Sequence, residues 1–116
     1  HVSFRVDDLD AALAFYEGLL ACERLARPPI PGPPGAWLQA GATQVHLTEY
    51  VADDATGFPP GALIPYANHV AFHTDDLAAA EAAFRERGIE ILGATSDVAQ
   101  FFVRDPSGNM IEFSPY

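Results

Sequence analysis

Four side chains that can bind a metal ion occupy related positions in this sequence. His69 lies 68 residues after His1, and Glu112 lies 66 residues after His46. Three imidazoles and one carboxylate suit zinc, nickel, cobalt, iron or manganese. We therefore predict that His1, His46, His69 and Glu112 share one divalent ion, and the alternative for each histidine is a hydrogen-bonded structural role.

Alternation along the predicted strands places each of these four residues on a polar face. In the strand that contains His1, the residues Val2 and Phe4 face the opposite way, because successive side chains of a strand point to opposite faces. Glu112 likewise lies between Ile111 and Phe113, which would hold its strand to an apolar core. Each strand thus has one face for packing and one face that offers a ligand.

The strands belong to a unit that occurs twice. The segment HVSFRVDDLDAALAFY at residue 1 aligns without a gap on HVAFHTDDLAAAEAAF at residue 69. In each copy a strand leads through an aspartate pair, which can cap a helix, into an amphipathic helix. Internal repetition of this kind sets the architecture of a chain.

Each copy is predicted to be a β-α-β-β-β module. After the helices we expect strands at about 22–26, 35–41 and 44–50 in the first copy, and at about 89–93, 99–104 and 109–114 in the second. A Pro/Gly-rich loop at 26–36 interrupts the first copy. We predict one domain over 1–116, with module one at about 1–51, a connection at 52–67 and module two at 68–116.

Composition narrows the classes of partner. The chain has 116 residues, of which 49% are hydrophobic and 19% are charged, as in folded domains. A net charge of −10 argues against nucleic acid or an anionic membrane. With a single cysteine, Cys22, and no apolar run of about 18 residues, we expect a cytoplasmic protein with a buried Cys22.

The motifs HVSFRVDDLDAALAFYEGLL, QVHLTEY, NHVAFHTDDL and VRDPSGNMIEF resemble those of the vicinal oxygen chelate superfamily, and the resemblance covers essentially the whole chain. That superfamily includes glyoxalase I, bleomycin-resistance proteins, fosfomycin-resistance proteins and extradiol dioxygenases. The resemblance implies an α+β fold of paired βαβββ modules, whose mixed sheet curls into a half-barrel with helices outside. It also implies a small-molecule substrate and a homodimer.

The resemblance also assigns the family's metal ligands to His1, His46, His69 and Glu112. Dioxygenases and fosfomycin-resistance enzymes usually lack the ligand at the position of His46. Glyoxalase I usually has a carboxylate there, and the methylmalonyl-CoA epimerases of the same superfamily often have an amide. A fourth ligand therefore favours a lyase or isomerase of the glyoxalase I type. It leaves about two positions on an octahedral ion for two vicinal substrate oxygens, with Glu112 as the catalytic base.

Further residues are candidates for substrate binding, each with a structural alternative. The resemblance implies that Arg5 anchors a substrate carboxylate, although an arginine there could instead pair with a nearby carboxylate of the protein. Tyr50 stands where glyoxalase I has an asparagine, which leaves the use of glutathione open. His73 shares a face with His69 and could contact substrate or form part of a hydrogen-bonded pocket. Aromatic and apolar side chains that could line a pocket or belong to the core are Tyr50, Trp37, Phe101 and Met110.

Two other functions remain open at the level of sequence. A non-catalytic protein that binds a small molecule or antibiotic, like the bleomycin-resistance members, would suit the acidic surface if its ligand were cationic. The metal-ligand set counts against that reading. An extradiol dioxygenase is the other alternative, and the fourth ligand at His46 counts against it because oxygen and substrate both need open positions.

Overall fold

The computed structural model describes residues 1–93 and 98–116. The chain forms two compact units, His1–Phe58 and Pro59–Tyr116. Their boundary falls inside the connection that the sequence predicts at 52–67. None of the helices in the described residues is long and apolar enough to cross a membrane.

The first unit is a βαβββ module. Strand β1 (Val2–Val6) leads into helix α1 (Leu9–Leu13), which continues as a π-helical segment (Ala14–Leu19). Strands β2 (Glu23–Leu25), β3 (Gly35–Ala40) and β4 (Thr43–Glu49) follow. The sheet has the order β1-β4-β3-β2, in which β1 is parallel to β4 and the other pairs are antiparallel. These strands agree with the predicted ones to within two residues at each end.

The second unit repeats this plan with one change. It contains β5 (His69–His73), helix α2 (Leu77–Glu86), β6 (Phe101–Arg104) and β7 (Met110–Ser114), in the order β5-β7-β6. The predicted strand 89–93 is wrong as a continuous strand, since Leu92 alone forms a bridge, to Phe102. One reason is that the Ile89 amide donates to the Phe84 carbonyl of the helix end and is not free for a ladder.

The aspartate pairs begin the helices as predicted. Asp8 accepts a hydrogen bond from the Ala11 amide and Asp76 accepts one from the Ala79 amide, both at 2.9 Å. Each carboxylate thus satisfies a backbone donor that the first turn leaves open. Gly88, at φ +67°, follows the end of α2 in the left-handed conformation that glycine adopts without penalty.

The core of each unit lies between its helix and the apolar face of its sheet. In the first unit Phe4 stacks on Tyr16, with ring centroids 5.7 Å apart. The π-helical turn places both Phe15 and Tyr16 in the interior, so the buried stripe differs from the regular helical spacing that the sequence predicts. Cys22 is buried, as expected, and burial raises the pKa of its thiol.

In the second unit an aromatic cluster joins the helix to the sheet. Phe84 of α2 packs against Phe101 and Phe113, with ring centroids 5.7 Å and 5.1 Å away. This confirms that the Phe113 face of the last strand faces the core. The side chains that alternate with it, including Glu112, lie on the other face of the sheet.

Candidate metal centre and neighbouring aromatic residues

His69 and Glu112 form the pair with the clearest chemical character. Strands β5 and β7 run parallel, with Ala71 beside Glu112. Nε2 of His69 lies 2.9 Å from Oε2 of Glu112, and the two side chains are 29% and 15% exposed. The second unit therefore brings together the two ligands that the sequence predicts for it.

A hydrogen bond at the other side of the ring orients His69. Its Nδ1 lies 2.8 Å from the carbonyl oxygen of Ala67. A carbonyl can only accept, so Nδ1 carries the proton and donates. In the neutral imidazole Nε2 is then a bare lone pair, which is the tautomer that a metal-ligating histidine uses.

The contact between Nε2 and Oε2 fits two ligands of one ion. A lone pair and a carboxylate oxygen 2.9 Å apart repel each other unless a proton or a cation lies between them. Two ligands about 2.1 Å from an ion at a right angle are separated by roughly 3 Å. The donor types and their spacing therefore suit a divalent cation, with part of its coordination shell left for other ligands.

His1 and His46 also meet, in a different geometry. Their rings stack with centroids 4.0 Å apart and planes 12° from parallel. Trp37 covers the other side of His46 at 4.3 Å and 4°, so His46 lies between an indole and an imidazole. Nε2 of His46 is 2.9 Å from Oε1 of Gln44.

The stacked geometry does not by itself chelate an ion. A metal lies close to the plane of each imidazole that binds it, and two parallel planes about 4 Å apart cannot both contain the same ion. One of the two rings has to turn before His1 and His46 can act together. Partial burial lowers the pKa of His46, which favours its neutral form, in which Nε2 donates to the amide oxygen of Gln44. Within residues 1–93 and 98–116, no three side chains of His, Cys, Asp or Glu are grouped to hold a metal.

The two units present their candidate ligands in equivalent rows of cross-strand neighbours. In the first sheet the row is Ser3, His46, Trp37 and Leu25. In the second it is Ala71, Glu112, Phe102 and Leu92. Each row contains a candidate ligand on the last strand and an aromatic residue on the strand beside it.

Phe102 is the aromatic residue of the second row, and the sequence pattern does not single it out. It is 2% exposed, and its ring stands at 87° to that of His69 with centroids 5.4 Å apart. The register that places 102 opposite 112 depends on a loop closed by the hydrogen bond from the Asp105 amide to the Asn109 carbonyl, which the residue types alone do not specify. Phe101, for which the sequence leaves a pocket or a core position open, packs in the aromatic core.

The predicted substrate-binding residues have structural partners in this conformation. Arg5 pairs with Asp7 and donates to the Tyr50 carbonyl at 2.9 Å. The Tyr50 hydroxyl donates to Asp53 at 3.0 Å, and this bond raises the pKa of Tyr50. His73 lies 3.7 Å from Asp75, with both side chains exposed. Met110 is buried beside His69. Substrate binding by Arg5, Tyr50, His73 and Met110 stays a prediction.

Comparison with known proteins identifies relatives over nearly the entire chain. Residues 1–113 match the family described as the Glyoxalase/Bleomycin resistance protein/Dioxygenase superfamily. Glyoxylase I 4 of Arabidopsis thaliana is 30% identical over 118 residues, which cover 97% of this chain and 67% of that protein.

Two solved structures share the fold. TnmS3, an antibiotic-binding protein from a Streptomyces species, is 25% identical, with a TM-score of 0.70 over 98% of this chain and 93% of its own. A mutant of the fosfomycin resistance protein FosX from Listeria monocytogenes, complexed with Mn(II) and 1S,2S-dihydroxypropylphosphonic acid, has a TM-score of 0.80. It is 15% identical and the match covers 98% of this chain and 88% of that chain, so it supports the fold alone.

Proposed function

Because the chain belongs to the Glyoxalase/Bleomycin resistance protein/Dioxygenase superfamily, we propose that it is a divalent-metal-dependent lyase or isomerase of the glyoxalase I type. Its substrate would be a small molecule with two vicinal oxygens. The observation that carries the proposal is the pair of His69 and Glu112, whose nitrogen and oxygen lie 2.9 Å apart. The likeness to Glyoxylase I 4 supports the same class of reaction.

His69 and Glu112 are the ligands that we assign first. His69 is held in the required tautomer by the Ala67 carbonyl, and Glu112 supplies the negative charge that a divalent ion favours. We propose His1 and His46 as the further ligands, because they occupy the equivalent positions of the repeat. This assignment requires their stacked rings to turn apart.

Glu112 is the residue that we assign as the base. A divalent ion bound there would polarise a chelated carbonyl and acidify the neighbouring C–H bond. Glu112 would take that proton and return it to the adjacent carbon, so the isomerisation consumes no oxidant or reductant. Its side chain is only 15% exposed, which limits exchange of the transferred proton with water.

The experiment is an assay of hemithioacetal isomerisation and of epimerisation next to a carbonyl, with each metal supplied in turn. We expect Glu112→Gln to lower kcat by at least about 100-fold, since general-base catalysis contributes that much or more. Glu90→Gln is the matched control, because Glu90 pairs with Arg104 in the same unit and has no assigned role. Activity of Glu112→Gln equal to that of the wild type would refute the assignment of the base.

A second candidate function is binding of a flat, cationic molecule without catalysis. The stack of Trp37, His46 and His1 supports it, since aromatic faces attract planar and cationic ligands. The net charge of −10 would assist capture of a cation. Trp37 is the single tryptophan, so quenching of its fluorescence by a planar cation, with no turnover, would favour this function.

A further inference from the structure

We propose that Phe102 is a positioning residue that holds the imidazole of His69 so that Nε2 stays directed at Glu112. The consequence of this role for catalysis rests on the proposed function. The contacts that support this role lie within the second unit. They join the side chains of His69 on β5, Phe102 on β6 and Glu112 on β7. Nothing in the sequence pattern of the metal ligands points to Phe102.

Phe102 adjoins both members of the pair. It is the cross-strand neighbour of Glu112, and its ring stands almost perpendicular to that of His69, with centroids 5.4 Å apart. Perpendicular aromatic pairs at this separation attract each other beyond the effect of burial alone. Phe102 is 2% exposed, so its ring is enclosed by neighbouring groups and can act as a rigid support.

Without an apolar support, the imidazole would have other orientations open to it. The bond from Nδ1 to the Ala67 carbonyl is a single hydrogen bond on a side chain that is 29% exposed, where water competes for the donor. Phe102 offers no hydrogen bond of its own and therefore does not compete for either ring nitrogen. It limits rotation of the ring and leaves both nitrogens to Ala67 and Glu112.

The first unit also places an aromatic residue against an imidazole, although that imidazole is the counterpart of Glu112 and not of His69. Trp37 occupies the position equivalent to Phe102 and lies face to face with His46 at 4.3 Å. In both units, the aromatic residue beside the last strand contacts an imidazole of the candidate ligand set. Such recurrence is unexpected for a residue that only fills the core, as Phe101 does in contact with Phe84 and Phe113.

The test compares Phe102→Leu with Phe101→Leu, two adjacent substitutions of the same kind on opposite faces of β6. In metal-free protein, NMR would follow the Nδ1 proton of His69, assigned by its loss in His69→Gln. We expect Phe102→Leu to broaden this resonance beyond detection, because a mobile ring exposes the proton to water. We expect Phe101→Leu to lower the urea midpoint and leave the resonance intact.

A second measurement uses nickel ions alone. Residues that orient a ligand typically change metal affinity by 10–100-fold, so the Kd for nickel should rise about tenfold in Phe102→Leu and change little in Phe101→Leu. An unchanged Nδ1 resonance in Phe102→Leu, or equal loss in both variants, would overturn the proposal. Should Phe102→Leu fail to fold, Phe102→Met gives the same comparison. A wild-type protein that binds none of nickel, zinc, cobalt, manganese and ferrous ions would refute the proposed function, and the metal-free NMR comparison would still decide the role of Phe102.

Discussion

His69 and Glu112 are not cross-strand neighbours, and yet their side chains meet. His69 lies beside Met110 and Glu112 beside Ala71, so the contact of 2.9 Å runs diagonally across two parallel strands. His1 and His46 meet by the same diagonal, because His46 lies beside Ser3. The repeat thus places two candidate ligands together in each unit. In the second unit Nε2 of His69 faces a carboxylate oxygen of Glu112, whereas in the first unit the imidazole rings of His1 and His46 stack.

The turn before β7 should be a main source of stability in the second unit. Asp105 is 4% exposed, and its Oδ1 accepts from the amides of Ser107 and Asn109, each at 2.9 Å. Asp105→Ala would leave both backbone donors without this acceptor. We expect a loss of about 3 kcal/mol in the free energy of unfolding, measured by urea denaturation.

Asp76→Ala is the control for that substitution. Asp76 also accepts a backbone amide, that of Ala79, but at an exposed helix end. Loss of such a cap should cost about 1 kcal/mol. If Asp105→Ala were no more destabilising than Asp76→Ala, the turn would not have the stabilising role that its buried hydrogen bonds indicate.

Gly35 should not tolerate a side chain. A Cβ at this position would lie 2.4 Å from the carbonyl oxygen of Leu47 on the neighbouring strand, a backbone atom that cannot move without disturbing the β3–β4 ladder. We expect Gly35→Ala to cost about 1–3 kcal/mol, as for other overpacked sites. Gly18→Ala is the control, since nothing lies within 4 Å of its Cβ, and equal stability of the two variants would contradict the close approach.

The pair of Glu17 and Arg24 should make a small, pH-dependent contribution to stability. The hydrogen bond from Arg24 lowers the pKa of Glu17 below its ordinary 4.5. Because the folded-state pKa is the lower one, the stabilisation is complete above the ordinary pKa and is lost as the pH falls through the lowered value. The pair lies on the surface, with side chains 30% and 49% exposed, so it should contribute less than about 1 kcal/mol.

Urea denaturation of the wild type and Glu17→Gln over a series of pH values would check this. We expect the difference between them to be present at neutral pH and to shrink as the solution is acidified below about pH 4.5. High salt should reduce it as well. A difference that stays constant into acid would show that the substitution acts through packing and not through the charge of Glu17.

The repeat and the strand alternation were sufficient to predict most of the fold. The matched segments at His1 and His69 gave the two modules, and the spacing of Val2, Phe4 and Phe113 gave the faces of the sheets. The strand at 89–93 was wrong because propensity does not reveal that the Ile89 amide is used by the helix end. The likeness of the chain to FosX and TnmS3, with TM-scores of 0.80 and 0.70, agrees with the predicted fold.

The site was less predictable than the fold. Alternation alone placed His69 and Glu112 on one face, but it could not show that Ala67 would orient the imidazole. Phe102 required the register of the last two strands, which depends on the geometry of the turn and not on any single residue. The stacking of His1, His46 and Trp37 depends on side-chain rotamers, which the pattern of residue types does not specify.

The most direct test of the metal centre is the metal content of tag-free protein, measured by mass spectrometry for the wild type, His69→Ala with Glu112→Gln, and His73→Ala. His73 is the matched control, because it lies on the same face of β5 and is exposed beside Asp75. We predict about one divalent ion per chain in the wild type and in His73→Ala, and its loss in the double variant. No bound metal in the wild type after incubation with nickel, zinc, cobalt, manganese and ferrous ions would contradict the account.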